Sequence, residues 1–243
     1  MKRWFTLLSL VLAVSAFAQA PDTRSSEEKK FIRAIGLGDS QQVLAMLKAN
    51  PKLINAKTHD GAGVVLASAY SMKPKITKIL IKHGAKLDIW AACAAGMLKE
   101  ATWEVEKHKE LIDKQSPDGN TPLCLAVGMG HPDVAKMLLE HGADHNARSV
   151  IEGAGPMNSA AFGRNLQCIK VLVEHGVDVN MAETDGSVAL HESALHGDLE
   201  IIKYLVEHGA NVKKANDEKM TPLMIAESAK QAKVVAYLKA HGA

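Results

Sequence analysis

The stretch that decides the fold is PDGNTPLCLAVGMGHPDVAKMLLEHGADHNAR, at residues 117–148. It opens with an Asp-Gly turn and a proline, continues through two apolar segments separated by Gly-His, and closes with Gly-Ala-Asp. Proline is tolerated in the first turn of a helix, and glycine favours turns. In the second segment, Val134, Met137 and Leu138 follow the i, i+3, i+4 spacing of a helix with one buried face. The stretch therefore predicts two short helices joined by a tight turn.

The same pattern recurs along the chain. A His-Gly pair ends the second helical segment of several copies, at His83, His141, His175, His208 and His241. The last four glycines of these pairs are separated by 34, 33 and 33 residues. Turn motifs in register begin at Asp60, Glu152, Asp185 and Glu218, and two further copies near Phe31 and Ile89 are recognised by their helix pattern alone. A fixed period of this length is typical of repeat proteins, in which neighbouring repeats bury each other's apolar stripes.

Each copy resembles an ankyrin repeat in its D-G-x-T-P-L turn, its two short helices and its closing Gly-Ala-Asp. The resemblance covers seven copies from about residue 28 to the end of the sequence. It implies an all-α fold, namely an ankyrin-repeat solenoid of about seven helix-turn-helix repeats with β-turn or hairpin tips. The threonine and histidine of the family motif never occur together, since the paired positions hold Thr121 with Cys124, Val188 with His191, and Thr221 with Met224. We therefore expect weaker repeats than the family ideal.

The sequence HESALH at residues 191–196 is close to the H-E-x-x-H motif of zinc proteases. Histidines that bind zinc from one helix lie at i and i+4, whereas His191 and His196 lie at i and i+5 and diverge by about 140° around a helix. In the repeat register, His191 takes the histidine position of the family motif and has a packing role. The histidines that precede each helix-ending glycine are placed to complement the helix dipole. We therefore expect no metal site.

Residues 1–18 have the features of a secretory signal peptide, because two cations precede an apolar run that ends in small residues. The A-x-A pattern of Ala16 and Ala18 predicts cleavage after Ala18, a polar linker at residues 19–27 and a repeat domain at residues 28–243. The apolar run is short for an uncleaved membrane anchor, which is the alternative. The lack of an N-x-S/T sequon weakly favours a bacterial periplasm. We expect a periplasmic or secreted protein.

The charge of the mature chain is balanced. Of the 29 lysines and arginines, Lys2 and Arg3 lie in the predicted signal peptide, and the remaining 27 match 27 aspartates and glutamates. This balance gives no compositional support to nucleic acid or to an anionic membrane as a partner. We therefore expect a protein partner, no nucleic acid, no membrane after signal cleavage, and a chain that is monomeric when unbound.

The cysteines Cys93, Cys124 and Cys168 are an odd number, which does not allow a complete disulfide framework. All three lie in apolar stretches, and this favours buried side chains with a packing role. The alternative is a redox-responsive scaffold, in which oxidation of one cysteine loosens a repeat.

The sequence contains no nucleophile or phosphate-binding motif, and the ankyrin resemblance implies a binding scaffold with no catalytic residue and no cofactor. In the family, the ends of the first helices and the turn tips face the partner. The resemblance assigns to these two surfaces the helix-end residues Tyr70, Met129, Phe162, Leu195 and His196 and the turn-tip residues Asp118, Val150 and Ile151.

From these features we predict a non-catalytic protein-protein interaction scaffold in the periplasm, which binds a protein partner through a concave groove and the turn tips. Two narrower functions are compatible with this prediction. One is an immunity protein that neutralises a periplasm-directed toxin, and the other is an accessory protein of a periplasmic or oxidative-stress enzyme.

Overall fold

The computed structural model describes residues 22–150 and 153–243. Across these ranges the chain is helical, with two isolated β-bridges beside the turns and no strand. The fourteen α-helices of the described ranges form seven consecutive pairs, which confirms the predicted all-α repeat fold. The predicted signal peptide at residues 1–18 lies outside the described residues. No helix in the described ranges has the length and apolar composition needed to cross a bilayer.

The chain divides into two compact units, and the first ends at Lys86. The first unit contains two helix pairs and a 3₁₀ helix, namely α1 Ser26–Leu37, α2 Ser40–Ala49, the 3₁₀ helix Pro51–Asn55, α3 Val64–Tyr70 and α4 Pro74–Lys82. Helix α1 begins with a capping box, in which the Ser25 hydroxyl accepts a hydrogen bond from the Glu28 N–H and the Glu28 carboxylate accepts one from the Ser25 N–H. The helix thus begins two residues before the repeat domain predicted from the sequence.

The core of the first unit is formed by the apolar stripes of its helices. Phe31 and Ile35 lie one turn apart on α1 and are fully buried, as are Ile76 and Leu80 on α4. Helix α1 packs on α2 and α3, and α2 packs on α4. Each of these side chains contributes roughly 1.5–3 kcal/mol by leaving water, so the stability of the unit depends on contacts between the two repeats.

The second unit spans residues Leu87–Ala243 and contains five helix pairs. The first helices of the pairs are α5 Ile89–Ala94, α7 Pro122–Gly128, α9 Pro156–Phe162, α11 Ala189–His196 and α13 Pro222–Ser228. The second helices are α6 Leu98–Lys107, α8 Pro132–Glu140, α10 Leu166–Glu174, α12 Leu199–Glu207 and α14 Ala232–Ala240, and a 3₁₀ helix at Lys109–Leu111 follows α6. Each first helix packs on the next first helix, and each second helix packs on the next second helix.

Where only the threonine or only the histidine of the motif is present, it still forms a hydrogen bond at the start of its helix. The Thr121 hydroxyl accepts a hydrogen bond from the Cys124 N–H at 3.2 Å, and in the repeat that has no threonine the Val188 N–H donates to Nδ1 of His191 at 3.0 Å. Because either side chain alone satisfies an N–H group in the first turn, losing one of the two partners does not leave the helix end uncapped.

Neighbouring repeats of the second unit are also joined by hydrogen bonds at both of their ends. At the linkers between paired helices, Nε2 of His131 donates to the Ala94 carbonyl at 3.1 Å, and the Gln231 amide donates to the carbonyl of Leu195 at 3.1 Å. At the turn tips, the Val150 N–H donates to the carbonyl of Gly119 at 3.0 Å. These bonds fix the register of one repeat on the next.

Candidate protein-binding surface

The helix-end residues predicted from the sequence lie on two different units. Tyr70 ends α3 in the first unit and is half-buried, whereas Met129, Phe162, Leu195 and His196 belong to the second unit. The two groups are therefore described separately. The larger group, in the second unit, is named here the helix-end surface.

The helix-end surface is built on three successive first helices that pack on each other. Phe162 is the last residue of α9, Leu195 is the equivalent residue of α11, and Met129 follows the end of α7. Phe162 is 39% exposed, and Met129 and Leu195 are half-buried. Because α7, α9 and α11 are in contact in that order, the three apolar side chains occupy neighbouring positions on one edge of the unit.

The helices approach closely beneath this surface because of glycine. A Cβ placed on Gly163 would lie 2.9 Å from the carbonyl carbon of Gly128 and closer still to its oxygen. The backbone after α9 therefore lies directly against the end of α7. This contact fixes the position of Phe162, the residue before Gly163, relative to the neighbouring repeat.

Two ion pairs lie next to the apolar residues. The Arg164 guanidinium binds the Asp198 carboxylate at 2.6 Å, and Nε2 of His196 is 2.9 Å from Oε1 of Glu192. The hydrogen bond to Glu192 raises the pKa of His196 above its ordinary value. The sequence reasoning identified His196 but missed Arg164 and Asp198. The sequence does contain an indication of this pair, because the two opposite charges lie 34 residues apart, which is one repeat length.

The predicted turn-tip residues Val150 and Asp118 differ in their exposure. Val150 is 64% exposed, which is unusual for an apolar side chain at a turn. Asp118, in contrast, is only 9% exposed, and its carboxylate accepts hydrogen bonds from the side chains of Ser116 and Asn120. We therefore correct the prediction for Asp118, because this side chain stabilises the turn from inside. Ile151 lies outside the described residues.

The histidine of each His-Gly pair has the structural role predicted from the sequence. In all five, Nδ1 donates to the carbonyl four residues earlier at 2.7–2.8 Å, in His83, His141, His175, His208 and His241. The same carbonyl also accepts the backbone N–H of that histidine, so the ring adds a second hydrogen bond at the end of the helix. Tyr204 and Tyr237 stack on the last two rings, with centroids 4.0 and 3.9 Å apart. The described residues hold no cluster of three or more side chains able to bind a metal.

All three cysteines are buried and unpaired, in agreement with the predicted packing role. Burial raises the pKa of each thiol, that of Cys168 to about 12. Because the thiolate is the reactive form, we expect a thiol reagent to label Cys93, Cys124 and Cys168 of the folded chain at least about a hundredfold more slowly than those of the unfolded chain. Timed labelling with and without denaturant measures this ratio, and rapid labelling of the folded chain would favour the redox-responsive scaffold.

Sequence comparisons identify the helix pairs. A profile of the ankyrin repeat matches residues 118–150, and a profile of three consecutive ankyrin repeats matches residues 153–243. The two matches cover just over half of the chain and coincide with four of the observed helix pairs. The chain belongs to the ankyrin-repeat family.

Several curated proteins are similar in sequence to this chain, and the first two described here are named as ankyrin-repeat proteins. A protein of Rickettsia bellii (strain RML369-C) is 34% identical over 111 residues, which are 45% of this chain and 46% of that protein. A fowlpox virus protein is 24% identical over 171 residues, 66% of this chain and 38% of the viral protein. The human BCL-6 corepressor-like protein 1 is 27% identical over 124 residues, 51% of this chain and 7% of that protein. The chain thus spans less than half the length of these relatives.

The ankyrin repeats make this chain a protein-protein interaction scaffold at the level of its family, and the family is typically non-catalytic.

Proposed function

We propose that this ankyrin-repeat chain is a non-catalytic adaptor of the bacterial periplasm that binds a protein partner through the helix-end surface. The observation that carries the proposal is the exposed ring of Phe162 between the half-buried Met129 and Leu195. Partly exposed aromatic side chains held by a rigid backbone are typical centres of protein interfaces. The features of residues 1–18 support the periplasmic location.

The charged residues beside Phe162 suit the edge of such an interface. The Arg164–Asp198 and His196–Glu192 pairs are partly exposed and lie next to the apolar residues. Interfaces commonly combine an apolar centre with a polar rim, and the rim contributes more to specificity than to affinity. Val150, at the turn tip, provides a second contact of the proposed interface, and Tyr70 is a candidate contact of the first unit.

The proposal is tested by crosslinking and capture from a periplasmic extract, with the mature chain starting at Gln19 as bait. We expect one protein to be captured by the native chain and lost when Phe162→Ala and Leu195→Ala are combined. The matched control is Trp103→Ala, because Trp103 is 53% exposed on α6, outside the helix-end surface. Loss of capture in the control, or its retention in the Phe162 and Leu195 variant, would assign binding to another surface.

The captured protein separates the two narrower functions. A secreted toxin whose activity is blocked by the native chain would identify an immunity protein. An enzyme that becomes more stable or more active on binding would identify an accessory protein.

A further inference from the structure

The two units carry opposite charge, although the mature chain as a whole is neutral. Residues 22–86 contain twelve lysines and arginines against five aspartates and glutamates, a net charge of +7. Residues 87–243 contain fifteen against twenty-two, a net charge of −7. The expectation that no anionic surface is a partner rested on the net charge of the whole mature chain. That net charge does not show that the first unit is strongly basic.

Four of the twelve cations of the first unit lie on its second helices, without acidic residues beside them in the same helix. Helices α2 and α4 pack on each other and contain no acidic residue. Their exposed lysines are Lys48, Lys75, Lys78 and Lys82, and none of these forms an ion pair with any described residue. We name this lysine-bearing side of α2 and α4 the basic face.

On the second helices of the other unit, three lysines have acidic partners, whereas Lys99, Lys107, Lys170 and Lys233 form no ion pair with a described residue. Lys136 pairs with Glu140 on α8, and Lys203 pairs with Glu200 on α12. On α14, Lys239 pairs with Glu227. What distinguishes the basic face is that two neighbouring second helices both lack acidic residues, whereas in the second unit α14 alone among the second helices lacks them.

Exposed apolar side chains lie at the N-terminal end of the basic face. Leu37 and Met72 are 67% and 77% exposed, the highest values among the large apolar residues described. Leu37 is the last residue of α1 and Met72 lies in the loop between α3 and α4. The two positions are close to each other, since a Cβ on Gly38, the residue after Leu37, would be 2.9 Å from the Lys73 side chain. Asp39, which caps α2, is the acidic residue in the two loops that lead into α2 and α4.

The kind of cation distinguishes between possible partners. Ten of the twelve cations of the first unit are lysines. Arginine is preferred where carboxylates are recognised in a fixed geometry, and lysine is depleted at protein interfaces, whereas clustered lysines bind anionic lipid surfaces as point charges. Apolar side chains beside such a cluster can enter the boundary between headgroups and acyl chains.

We propose that the basic face binds the anionic surface of a phospholipid bilayer, with Leu37 and Met72 entering the interface. This binding is peripheral and uses residues other than those of the helix-end surface.

The proposal is tested by sedimenting the mature chain with vesicles of phosphatidylcholine alone or with about a third phosphatidylglycerol, at about 0.05 M and 0.3 M salt. We expect binding only to the anionic vesicles, with weakening at the higher salt. Combining Lys75→Glu, Lys78→Glu and Lys82→Glu should weaken binding at least about tenfold. The Leu37→Ser, Met72→Ser variant should also bind more weakly.

The matched control combines Lys136→Glu, Lys170→Glu and Lys203→Glu, which changes the total charge equally but lies in the second unit. This variant should bind like the native chain, and circular dichroism checks that all variants are folded. Equal binding to neutral vesicles, no sedimentation, or equal losses in the two triple variants would overturn the proposal. Binding to poly-glutamate but not to vesicles would assign the basic face to an acidic protein and overturn it as well.

One variant distinguishes this proposal from the proposed binding of a protein partner. The Phe162→Ala, Leu195→Ala variant should sediment with anionic vesicles like the native chain, even though it is expected to lose its protein partner.

Discussion

Gly163→Ala is expected to destabilise the second unit by about 3 kcal/mol. The backbone conformation of Gly163 suits any residue, with φ −69°, so the effect comes from space alone. The new methyl group would lie 2.9 Å from the carbonyl carbon of Gly128, and the atoms that it would meet belong to backbone held between packed helices. The repeats can accept the methyl group only by moving apart. Urea unfolding followed by tryptophan fluorescence measures the change, because Trp90 and Trp103 both lie in this unit.

The matched control is Gly128→Ala, on the other side of the same contact. A Cβ on Gly128 would meet the Ser159 carbonyl at 3.6 Å, which is an ordinary contact distance. Because alanine favours the helix by up to about 1 kcal/mol over glycine, this variant should be as stable as the native chain or slightly more stable. Similar losses in both variants would show that the close approach of α7 and α9 is not the cause.

His191→Ala is expected to cost about 2–4 kcal/mol of unfolding free energy. The ring is buried, accepts the Val188 N–H at Nδ1 and donates from Nε2 to the Met220 carbonyl of the next repeat at 3.1 Å. Alanine would leave both backbone groups buried without these partners. The control is His196→Ala, five residues further on, where loss of the partly exposed pair with Glu192 should cost less than about 1 kcal/mol. Equal effects of the two substitutions would contradict the assigned role of His191.

The same residue makes stability depend on pH. Burial lowers the pKa of His191, and a proton on Nδ1 would displace the hydrogen bond from Val188. Since the unfolded histidine titrates near its ordinary value of about 6.5, the stabilisation is complete above that pH and declines as the pH falls below it. Burial also lowers the pKa of His131, which makes the same contribution to the pH dependence of stability. The raised pKa of His196 makes the opposite contribution.

We therefore expect the His191→Ala variant to lose less stability than the native chain between about pH 7 and pH 5. Urea unfolding at both pH values provides the comparison. Parallel pH profiles of the two chains would show that His191 is not protonated over this range in the unfolded state or is not buried in the folded state.

The fold was predictable because the decisive information is local and repeated. A proline at the first helical position, an apolar i, i+3, i+4 stripe and a His-Gly helix end each report on their own repeat, and all three are seen at Pro122, Leu138 and His141. The site was less predictable because exposure depends on neighbouring repeats. Asp118 has the sequence of an exposed turn residue but is covered within its own turn, and Arg164 has a partner in the following repeat.

The charge distribution was missed for a different reason. The net charge of the predicted mature chain is a sum over both units. This sum is zero only because the charges of the two units have opposite signs. The boundary at Lys86, which separates these charges, follows from packing and has no marker of its own in the sequence.

The hydrogen bonds between repeats have a consequence for how the chain is made. Those described above join residues no more than 37 positions apart, the separation of His131 and Ala94. Contacts of such short range form quickly, and no early repeat has to wait for the far end of the chain. A chain delivered from its N-terminus by a ribosome or a translocation pore can therefore complete each repeat once the next one has emerged. Folding in this order keeps only one unfinished apolar edge in water at any time.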